Sequence, residues 1–331
     1  MKWGLIGASD IAATRVIPAM RNAGHEVYGV MSSKKDRAKS YAATNLIKHH
    51  TSEIENLLSW PIDAVYISTT NDLHAEQAVA AANAGKHILC EKPIALNVSD
   101  GQRMINEAKK NGVIFATNHH IRTSGVHQKI REIVENKLLG DIYLARINHV
   151  VGLPERLQGW RLDSAVQGAG VVLDITVHNV DTLRAALGSE ITSVIAYTSS
   201  NGLSQTGVED TANCTFLFAN GVIANTSESF AIPFSTTSFE LHGSHGSMVA
   251  TNVMTQDPTG EIVLTDSEGS RIIEVEDRDN LYVKTLLQFE KAIKGLGSPY
   301  ATGDDGFAAM QGALAVLLSA KQRRVVQIDE V

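Results

Sequence analysis

The sequence is poor in cysteine, in long apolar runs and in positive charge. Its two cysteines, Cys90 and Cys214, are too few for a disulfide framework or a cysteine-based zinc site. No apolar run approaches the roughly 20 residues that cross a bilayer, and no basic amphipathic stretch suggests binding to a membrane surface. The 36 acidic residues outnumber the 29 basic ones, for a formal net charge of −7, whereas nucleic-acid binding requires a basic face. We therefore expect neither a nucleic-acid nor a membrane partner.

The N-terminal sequence does not predict a secretory leader, because residues 2–6 form a strand-like run that leads directly into a glycine turn. We therefore expect a cytoplasmic location. The length of 331 residues allows two domains of ordinary size, and 44% hydrophobic with 20% charged residues is typical of a globular protein.

Strand and helix patterns alternate through the first 118 residues. Strands are predicted at 3–6, 26–31, 46–49, 64–68, 87–90 and 113–116. Helices are predicted at 11–22, 34–44, 52–58, 75–84 and 99–110, the last beginning at a cap on Ser99. This alternation predicts right-handed crossovers and a doubly wound parallel sheet of the Rossmann type in residues 1–118.

A different pattern follows residue 118. Strands are predicted at 141–150, 192–197, 213–218, 222–229, 238–243, 247–253, 261–266 and 271–275, several of them joined by short turns. Helices are predicted at 126–136, 281–294 and 306–321. Residues 119–331 are therefore expected to form an α+β domain with a large open, mainly antiparallel sheet, which makes the whole chain an α/β protein.

The turn after the first strand has the position of a dinucleotide-binding turn. Gly7 allows a tight bend, and Ala12 is small enough for the helix to pack closely on the strand. Ser9 stands where a second glycine is usual, and its hydroxyl could donate to a phosphate alongside backbone N–H groups of the helix start. The candidate cofactor residues here are Gly7, Ala8, Ser9, Asp10, Ile11 and Ala12. The alternative is a simple strand-to-helix turn.

The end of the second strand favours NADP(H) over NAD(H). NAD-binding turns usually carry an acid here for the ribose 2′-hydroxyl, but no acid directly follows this strand. Hydroxyls and cations follow instead: Ser32, Ser33, Lys34, Lys35 and Arg37. This set suits a 2′-phosphate, which Arg37 can bind through two N–H groups, although Asp36 weakens the positive field.

Two further patterns suit carbonyl–alcohol redox chemistry. Lys92 follows the apolar strand 87–90, and a lysine cation can stabilise an oxygen that gains negative charge. Asp174 and His178 are four residues apart, which places them on one face of a helix, and histidine titrates in the range needed to deliver a proton. Alternatives for the Asp174 and His178 pair are a helix-surface contact or two metal ligands, with His119 or His120 as a third.

Four motifs resemble the glucose–fructose oxidoreductase and inositol dehydrogenase family of NAD(P)-dependent oxidoreductases over essentially the full length. They are the turn at Gly7, residues 69–74, residues 91–93, and Gly168-Ala169-Gly170 leading to Asp174 and His178. Residues 118–122, 157–162, 174–178 and 252–256 carry a closer likeness to the members that reduce an anhydro-ketose.

The resemblance implies roles by position. It places Lys92 beside the nicotinamide and the reacting oxygen, His178 as the general acid, and Asp174 as the residue that orients the site. The implied cofactor residues beyond the glycine turn are Thr69, Thr70, Asn71, His74, Glu91, Lys92, Asn118, Trp160, Arg161 and Tyr282. The implied substrate residues are Lys92, Asn118, His119, Trp160, Arg161, Asp174 and His178. No metal is implied.

The activity implied by the resemblance is NADPH-dependent reduction of a keto group in a sugar derivative. The best single candidate is 1,5-anhydro-D-fructose, reduced to 1,5-anhydro-D-mannitol. One alternative is a sugar or inositol dehydrogenase working in the oxidative direction. A second is a regulator that binds the cofactor without catalysis, although such a protein would be expected to lack Lys92 or His178. The sequence leaves open whether the chain is a monomer or a homo-oligomer formed through the C-terminal sheet.

Overall fold

The computed structural model describes residues 1–331 and contains two sheets. The first is a six-stranded, all-parallel sheet with the order β3-β2-β1-β4-β5-β6. Its strands are β1 (Lys2–Ile6), β2 (Glu26–Met31), β3 (His49–Thr51), β4 (Ala64–Ile67), β5 (His87–Cys90) and β6 (Phe115–Thr117). This order is that of a Rossmann fold, and the prediction of a doubly wound parallel sheet is confirmed.

Helices connect these strands: α1 (Ile17–Asn22), α2 (Lys35–Thr44), α3 (Ile54–Leu58), α4 (His74–Asn83) and α5 (Val98–Lys110). A π-helical segment, Ala12–Val16, precedes α1. Several predicted boundaries differ from the structure, and two of the differences have a clear physical cause. The third strand does not occupy 46–49, because Ile47 N–H still closes the end of α2 on Ala42 O. The cap of α5 is Asn97 rather than Ser99, because the Asn97 side chain accepts from the Asp100 N–H at 2.9 Å.

The second sheet has nine strands in the order β14-β13-β12-β11-β7-β10-β9-β8-β15. These strands are β7 (Ile142–Val150), β8 (Ile191–Ser199), β9 (Thr211–Phe218), β10 (Ile223–Ser229), β11 (Ser238–Gly243), β12 (Gly246–Thr251), β13 (Glu261–Asp266), β14 (Gly269–Ile273) and β15 (Val326–Gln327). All neighbouring pairs are antiparallel except β7 and β10. Burial alternates along β9, so one face of the sheet is covered and the other is accessible. The predicted open, mainly antiparallel sheet is confirmed.

Five more helices complete the fold: α6 (Gly125–Glu135), α7 (Trp160–Asp163), α8 (Val177–Leu187), α9 (Leu281–Ile293) and α10 (Gly303–Gln322). A second π-helical segment, Val172–Thr176, leads into α8. None of the helices combines the length and the apolar character that crossing a membrane would require.

The chain divides into two compact units, and the first is discontinuous. It comprises Met1–His120 and Tyr282–Phe307, and the second comprises Ile121–Leu281 and Ala308–Val331. The segment Tyr282–Phe307 thus belongs to the first unit, whereas a single domain boundary after residue 118 places it in the second domain. Burial of apolar surface explains why this segment joins the first unit. Phe289 of α9 is fully buried, and its ring lies 5.3 Å from that of Trp3 in β1.

Candidate active site

The candidate cofactor residues of the first unit gather at one edge of its sheet. Ile6 pairs with both Met31 and Ile67, and Cys90 pairs with both Ile67 and Thr117. Because all six strands are parallel, their carboxyl ends meet at the same edge. The segments that follow these strands therefore lie side by side, and they begin with Gly7, Ser32, Ser68, Glu91 and Asn118. In doubly wound sheets this edge is where ligands bind.

The turn at Gly7 requires glycine. Its φ is +113°, and a Cβ there would lie 2.8 Å from the backbone carbon of Ser68. Ser9 is engaged differently from the sequence expectation, because its hydroxyl donates to the Ser68 hydroxyl at 2.7 Å and accepts from the Ala12 N–H at 3.2 Å. The Ser9 side chain thus supports the turn internally. A backbone that tight, opening directly into a helix, fits the close approach of a dinucleotide pyrophosphate.

The segment after β2 is tied to the glycine turn. Arg37 of α2 donates from its guanidinium to the Ala8 carbonyl at 2.8 Å, and the Tyr41 hydroxyl donates to the Ser9 carbonyl at 2.8 Å. Ser33 and Arg37 are exposed, whereas Ser32 is buried. Ser33 and Arg37 thus follow the strand next to the turn and remain accessible. The residues present therefore fit a dinucleotide at this edge.

The segments after β4 and β5 are joined through His74. This ring is fully buried, with Nδ1 at 2.9 Å from the Pro93 carbonyl oxygen and Nε2 at 3.3 Å from that of Thr69. Burial lowers the pKa of His74. The Thr69 hydroxyl donates to Gln77 Oε1 at 2.7 Å, and Asn71 is buried at the start of the turn that leads into α4. His74 is thus placed to join the two segments rather than to present a surface to a ligand, and Thr70 is half-buried.

Lys92 follows β5 in a segment anchored by its neighbour Glu91. Glu91 Oε1 accepts from the Tyr66 hydroxyl at 2.5 Å and from the Asn118 amide at 2.6 Å, which links the ends of β4, β5 and β6. Burial raises the pKa of Glu91. Lys92 itself is half-buried, and the Lys92–Pro93 peptide bond is cis. A fixed acid next to Lys92 thus holds the segment that presents the lysine.

The residues after β6 are buried. Asn118, His119 and His120 are between 1% and 5% exposed, and the His120 ring stacks on Tyr282 with centroids 5.0 Å apart. Tyr282 begins the segment that returns to the first unit. The stacking therefore joins two stretches of that unit that are distant in sequence.

The second unit brings Trp160, Arg161 and Asp174 together. The Arg161 guanidinium lies 4.8 Å from the centroid of the Trp160 ring, and its Nε lies 3.5 Å from Asp174 Oδ2. The Gly170 N–H donates to the Arg161 carbonyl at 2.9 Å, which holds α7 against the start of the π-helical segment. Three of the predicted site residues thus form one stacked and charged group.

His178 lies in the first turn of α8 and is 6% exposed. Its ring centroid is 6.5 Å from that of His149, which lies on β7. His149 Nδ1 lies 2.8 Å from Asn179 Oδ1, and the Asn179 amide donates to Glu228 Oε1 at 2.7 Å. The predicted proton donor therefore has a second histidine beside it and a buried polar group behind it.

A second acid stands at the start of this helix. Glu209 Oε1 accepts from the Val172 N–H at 3.4 Å, and burial raises the pKa of Glu209 to about 7. A Cβ on Gly170 would lie 2.0 Å from Glu209 Oε1. Because Gly170 has no Cβ, the Glu209 carboxyl has the space it needs to reach the start of the helix.

No group of three or more histidine, cysteine, aspartate or glutamate side chains is arranged to hold a metal ion. The interpretation of Asp174 and His178 as two ligands of a metal site therefore gains no support.

Sequence reasoning missed the side chains that support the site: Tyr41, Tyr66, His149, Asn179, Glu209 and Glu228. One signal was available, since Tyr66 stands in the otherwise apolar strand β4 and a buried tyrosine hydroxyl requires a partner. Glu228 lies in a half-polar strand that carries no comparable signal.

A glycine turn on a Rossmann sheet, a lysine after its fifth strand and a separate α+β unit with an Asp-His helix define a class: the NAD(P)-dependent oxidoreductases with two structural units. The chain belongs to the GFO/IDH/MocA oxidoreductase family. Residues 1–119 match the family model described as an oxidoreductase family with an NAD-binding Rossmann fold, and residues 127–249 match that of the GFO/IDH/MocA C-terminal domain. The predicted family resemblance is confirmed, and the protein is an enzyme that acts on CH–OH or C=O groups.

Named relatives agree with this assignment. The chain is 43% identical to a 1,5-anhydro-D-fructose reductase of Ensifer adhaerens, over 99% of this chain and 98% of that protein. It is 29% identical to a myo-inositol 2-dehydrogenase of Thermotoga maritima, over 100% and 99% of the two chains. Its fold is similar to the crystal structure of an aldose-aldose oxidoreductase from Caulobacter crescentus complexed with glycerol, with a TM-score of 0.90, 23% identity and 99% of each chain covered.

Proposed function

We propose that the protein is an NADPH-dependent reductase of a sugar-derived ketone, with 1,5-anhydro-D-fructose as substrate and 1,5-anhydro-D-mannitol as product. The observation that carries the proposal is the 43% identity, over nearly the whole of both chains, to a protein named for that reduction. The chemistry of the candidate site supports it, because the chain holds a lysine at a strand end, a helix-borne histidine and an aspartate that pairs with an arginine.

Within this proposal the chain's residues have separate tasks. NADPH, when bound, supplies the hydride. Lys92 stabilises the negative charge that develops on the carbonyl oxygen, and His178 delivers the proton that completes the alcohol. Asp174 holds Arg161 at 3.5 Å, and the Trp160 ring supports the same guanidinium. This group is polar, and it can bind the hydroxyl groups of a sugar.

The preference for NADPH rests on the segment after β2. No carboxylate directly follows this strand, and Ser33 and the exposed Arg37 stand beside the glycine turn instead. An arginine can bind a phosphate through two parallel N–H groups. One of its nitrogens donates to Ala8, so the guanidinium is already oriented when the 2′-phosphate arrives.

The test is a panel of keto-sugars and polyols assayed with each cofactor through nicotinamide absorbance. We expect the fastest turnover with 1,5-anhydro-D-fructose and NADPH, with 1,5-anhydro-D-mannitol as the product. Strong activity on a polyol with none on anhydrofructose contradicts the proposed substrate. Tighter binding of NADH than of NADPH in a fluorescence titration contradicts the proposed cofactor.

A second candidate is a sugar or inositol dehydrogenase working in the oxidative direction, in which His178 accepts the proton. The observation that favours it is the 29% identity, over essentially both full chains, to a protein named myo-inositol 2-dehydrogenase. The same panel separates the two candidates, because this one predicts oxidation of myo-inositol with NAD+ or NADP+.

A further inference from the structure

A buried polar chain runs behind the helix that carries His178. Its three members are Glu228 on β10, Asn179 on α8 and His149 on β7, which are 1%, 0% and 5% exposed. Strands β7 and β10 pair in parallel, with Glu228 directly opposite His149. Side chains opposite each other lie on the same face of a sheet, so both point at the face that α8 covers, where Asn179 meets them.

The hydrogen bonds along this chain have a fixed direction. The Asn179 amide nitrogen donates to Glu228 Oε1 at 2.7 Å, so its amide oxygen faces His149 Nδ1 at 2.8 Å. That oxygen accepts only, so His149 Nδ1 must carry the hydrogen. When Glu228 is ionised, turning the amide around would place two acceptors together at the Glu228 end, at the cost of an unsatisfied buried group. Glu228 therefore determines which nitrogen of His149 is protonated.

Two members of this buried polar chain, Asn179 and His149, are neighbours of His178. Asn179 is its neighbour in sequence, and the His149 ring lies 6.5 Å from the His178 ring with 44° between the planes. Glu228 is thus linked through the Asn179 amide to the backbone next to His178. The same amide links it to the His149 ring, which lies next to the His178 ring.

We propose that Glu228 is a positioning residue for proton delivery, which acts through Asn179 by holding His149 in its Nδ1–H tautomer and by seating the first turn of α8. The inference rests on the proposed role of His178 and adds three residues that the motifs do not include.

The cost of burying Glu228 supports a specific role. A carboxyl group removed from water destabilises a protein unless it is well bonded, and an apolar residue of similar size is often more stable. Burial raises the pKa of Glu228 to about 7, although the hydrogen bond from Asn179 lowers it. Asn179 directly follows His178 in the sequence, so this acid bonds the helix right beside the proton donor.

The experiment compares three variants of the full-length protein. Glu228→Leu removes the acceptor for the Asn179 amide, whereas Glu228→Gln keeps an acceptor oxygen in the same shape. The matched control is Asp210→Asn, because Asp210 is a fully buried acid that bonds Asn201 and Thr211 instead. The tautomer of His149 is read by NMR on protein labelled with ¹⁵N-histidine, with His149→Gln used for assignment. Turnover and the KM for NADPH are measured in parallel.

We expect the wild type, Glu228→Gln and Asp210→Asn to keep His149 as Nδ1–H. Glu228→Leu should release the ring into a mixture of tautomers and lower kcat by roughly 10-fold or more, because small displacements of catalytic groups cost up to about 100-fold. The KM for NADPH should stay within about twofold in all variants, since only proton delivery is affected. If Glu228→Leu does not fold, Asn179→Ser breaks the same link from the helix side and should give the same two changes.

An unchanged His149 tautomer and an unchanged kcat in the variant that breaks the link overturn the proposal. The proposed function has its own control, His178→Asn. If that variant remains active, the role of His178 is wrong, whereas the NMR result for Glu228 and His149 stands independently of turnover.

Discussion

At the scale of single residues, the proposed preference for NADPH depends on Arg37. Arg37→Ala should weaken NADPH binding by about 10- to 100-fold, because a hydrogen-bonded charge pair with a phosphate contributes roughly 1.5–3 kcal/mol. NADH binding should change little, since NADH has no 2′-phosphate. Fluorescence titration with both cofactors measures the two affinities.

Lys39→Ala is the matched control for Arg37, because it removes the same charge from an exposed position on the same helix. It should leave both affinities nearly unchanged. An equal loss of NADH and NADPH in Arg37→Ala assigns the residue to support of the turn through Ala8, and the argument for NADPH then fails.

Lys92 is the second residue whose role can be separated from binding. Lys92→Ala should lower kcat by about 100- to 1,000-fold, the usual cost of losing one group that stabilises a developing oxyanion. The dissociation constant for NADPH should stay nearly the same, as measured by fluorescence titration. Lys110→Ala, on the exposed end of α5, is the control that should retain full turnover. Near-normal turnover of Lys92→Ala rules out this assignment.

The residues that follow strands could be predicted from the sequence, but their buried partners could not. The pattern placed Gly7 and Lys92 at strand ends, because apolar runs and glycines identify where a parallel strand stops. It did not indicate that the Ser9 hydroxyl donates to Ser68 or that His74 joins Thr69 to Pro93. These bonds depend on which side chains meet across the sheet, and sequence spacing carries no information about that.

At the scale of the element, the start of the α8 segment depends on one glycine. Gly170 has a φ of +108°, and any Cβ would push the Glu209 carboxyl away from the Val172 N–H. We expect Gly170→Ala to destabilise the protein by about 1–3 kcal/mol, the usual cost of a side chain in a sparsely populated backbone region. Urea unfolding measures this change, and kcat should fall with it because Asp174 lies in the first turn of the segment.

The other end of the same helix provides the control. Gly188 also has a positive φ, +57°, but lies in the left-handed region and has open space where a Cβ would stand. Gly188→Ala should therefore cost about 1–2 kcal/mol and leave kcat unchanged. Equal effects of the two substitutions on turnover contradict a special role for the helix start.

Most elements could be predicted within a few residues, because strand and helix periods differ and glycines mark the ends. The two π-helical segments could not be predicted. In Ala12–Val16 and Val172–Thr176 the hydrogen bonds span one residue more than in an α-helix, and the apolar spacing does not reveal it. Each segment contains a predicted site residue, Ala12 in the first and Asp174 in the second, and π-helical turns are frequent at functional sites.

At the scale of the whole molecule, the first unit is assembled from distant parts of the chain. The segment Tyr282–Phe307 returns to it, and His25 Nε2 lies 3.3 Å from Glu290 Oε2 within that unit. The periodicity of α9 predicted a helix with an apolar face, but not which sheet that face covers. Such a contact depends on how complete helices and strands pack together. The order of the elements along the chain could therefore be predicted, but which elements pack against each other could not.

Buried acids give the molecule a pH-dependent stability whose sign can be worked out. Burial raises the pKa of Glu228 from 4.5 to about 7, so between these values the folded protein holds a proton that the unfolded chain has lost. Stability then falls as pH rises through this window and levels off above pH 7. The buried His127 acts in the opposite sense, because burial lowers its pKa to about 4. The test therefore compares the pH dependence of stability in the wild type with that in a variant that lacks the Glu228 carboxyl.

Glu228→Gln removes this titration alone. Relative to the wild type, the variant should gain stability from pH 4.5 to pH 7.5 by up to about 3 kcal/mol, since one pKa unit corresponds to roughly 1.4 kcal/mol. Glu209→Gln should behave alike, because burial also raises the pKa of Glu209 to about 7. Urea unfolding at several pH values measures both differences. A difference that stays constant with pH means that Glu228 titrates alike in the folded and unfolded chains, and its burial then imposes no proton-linked cost.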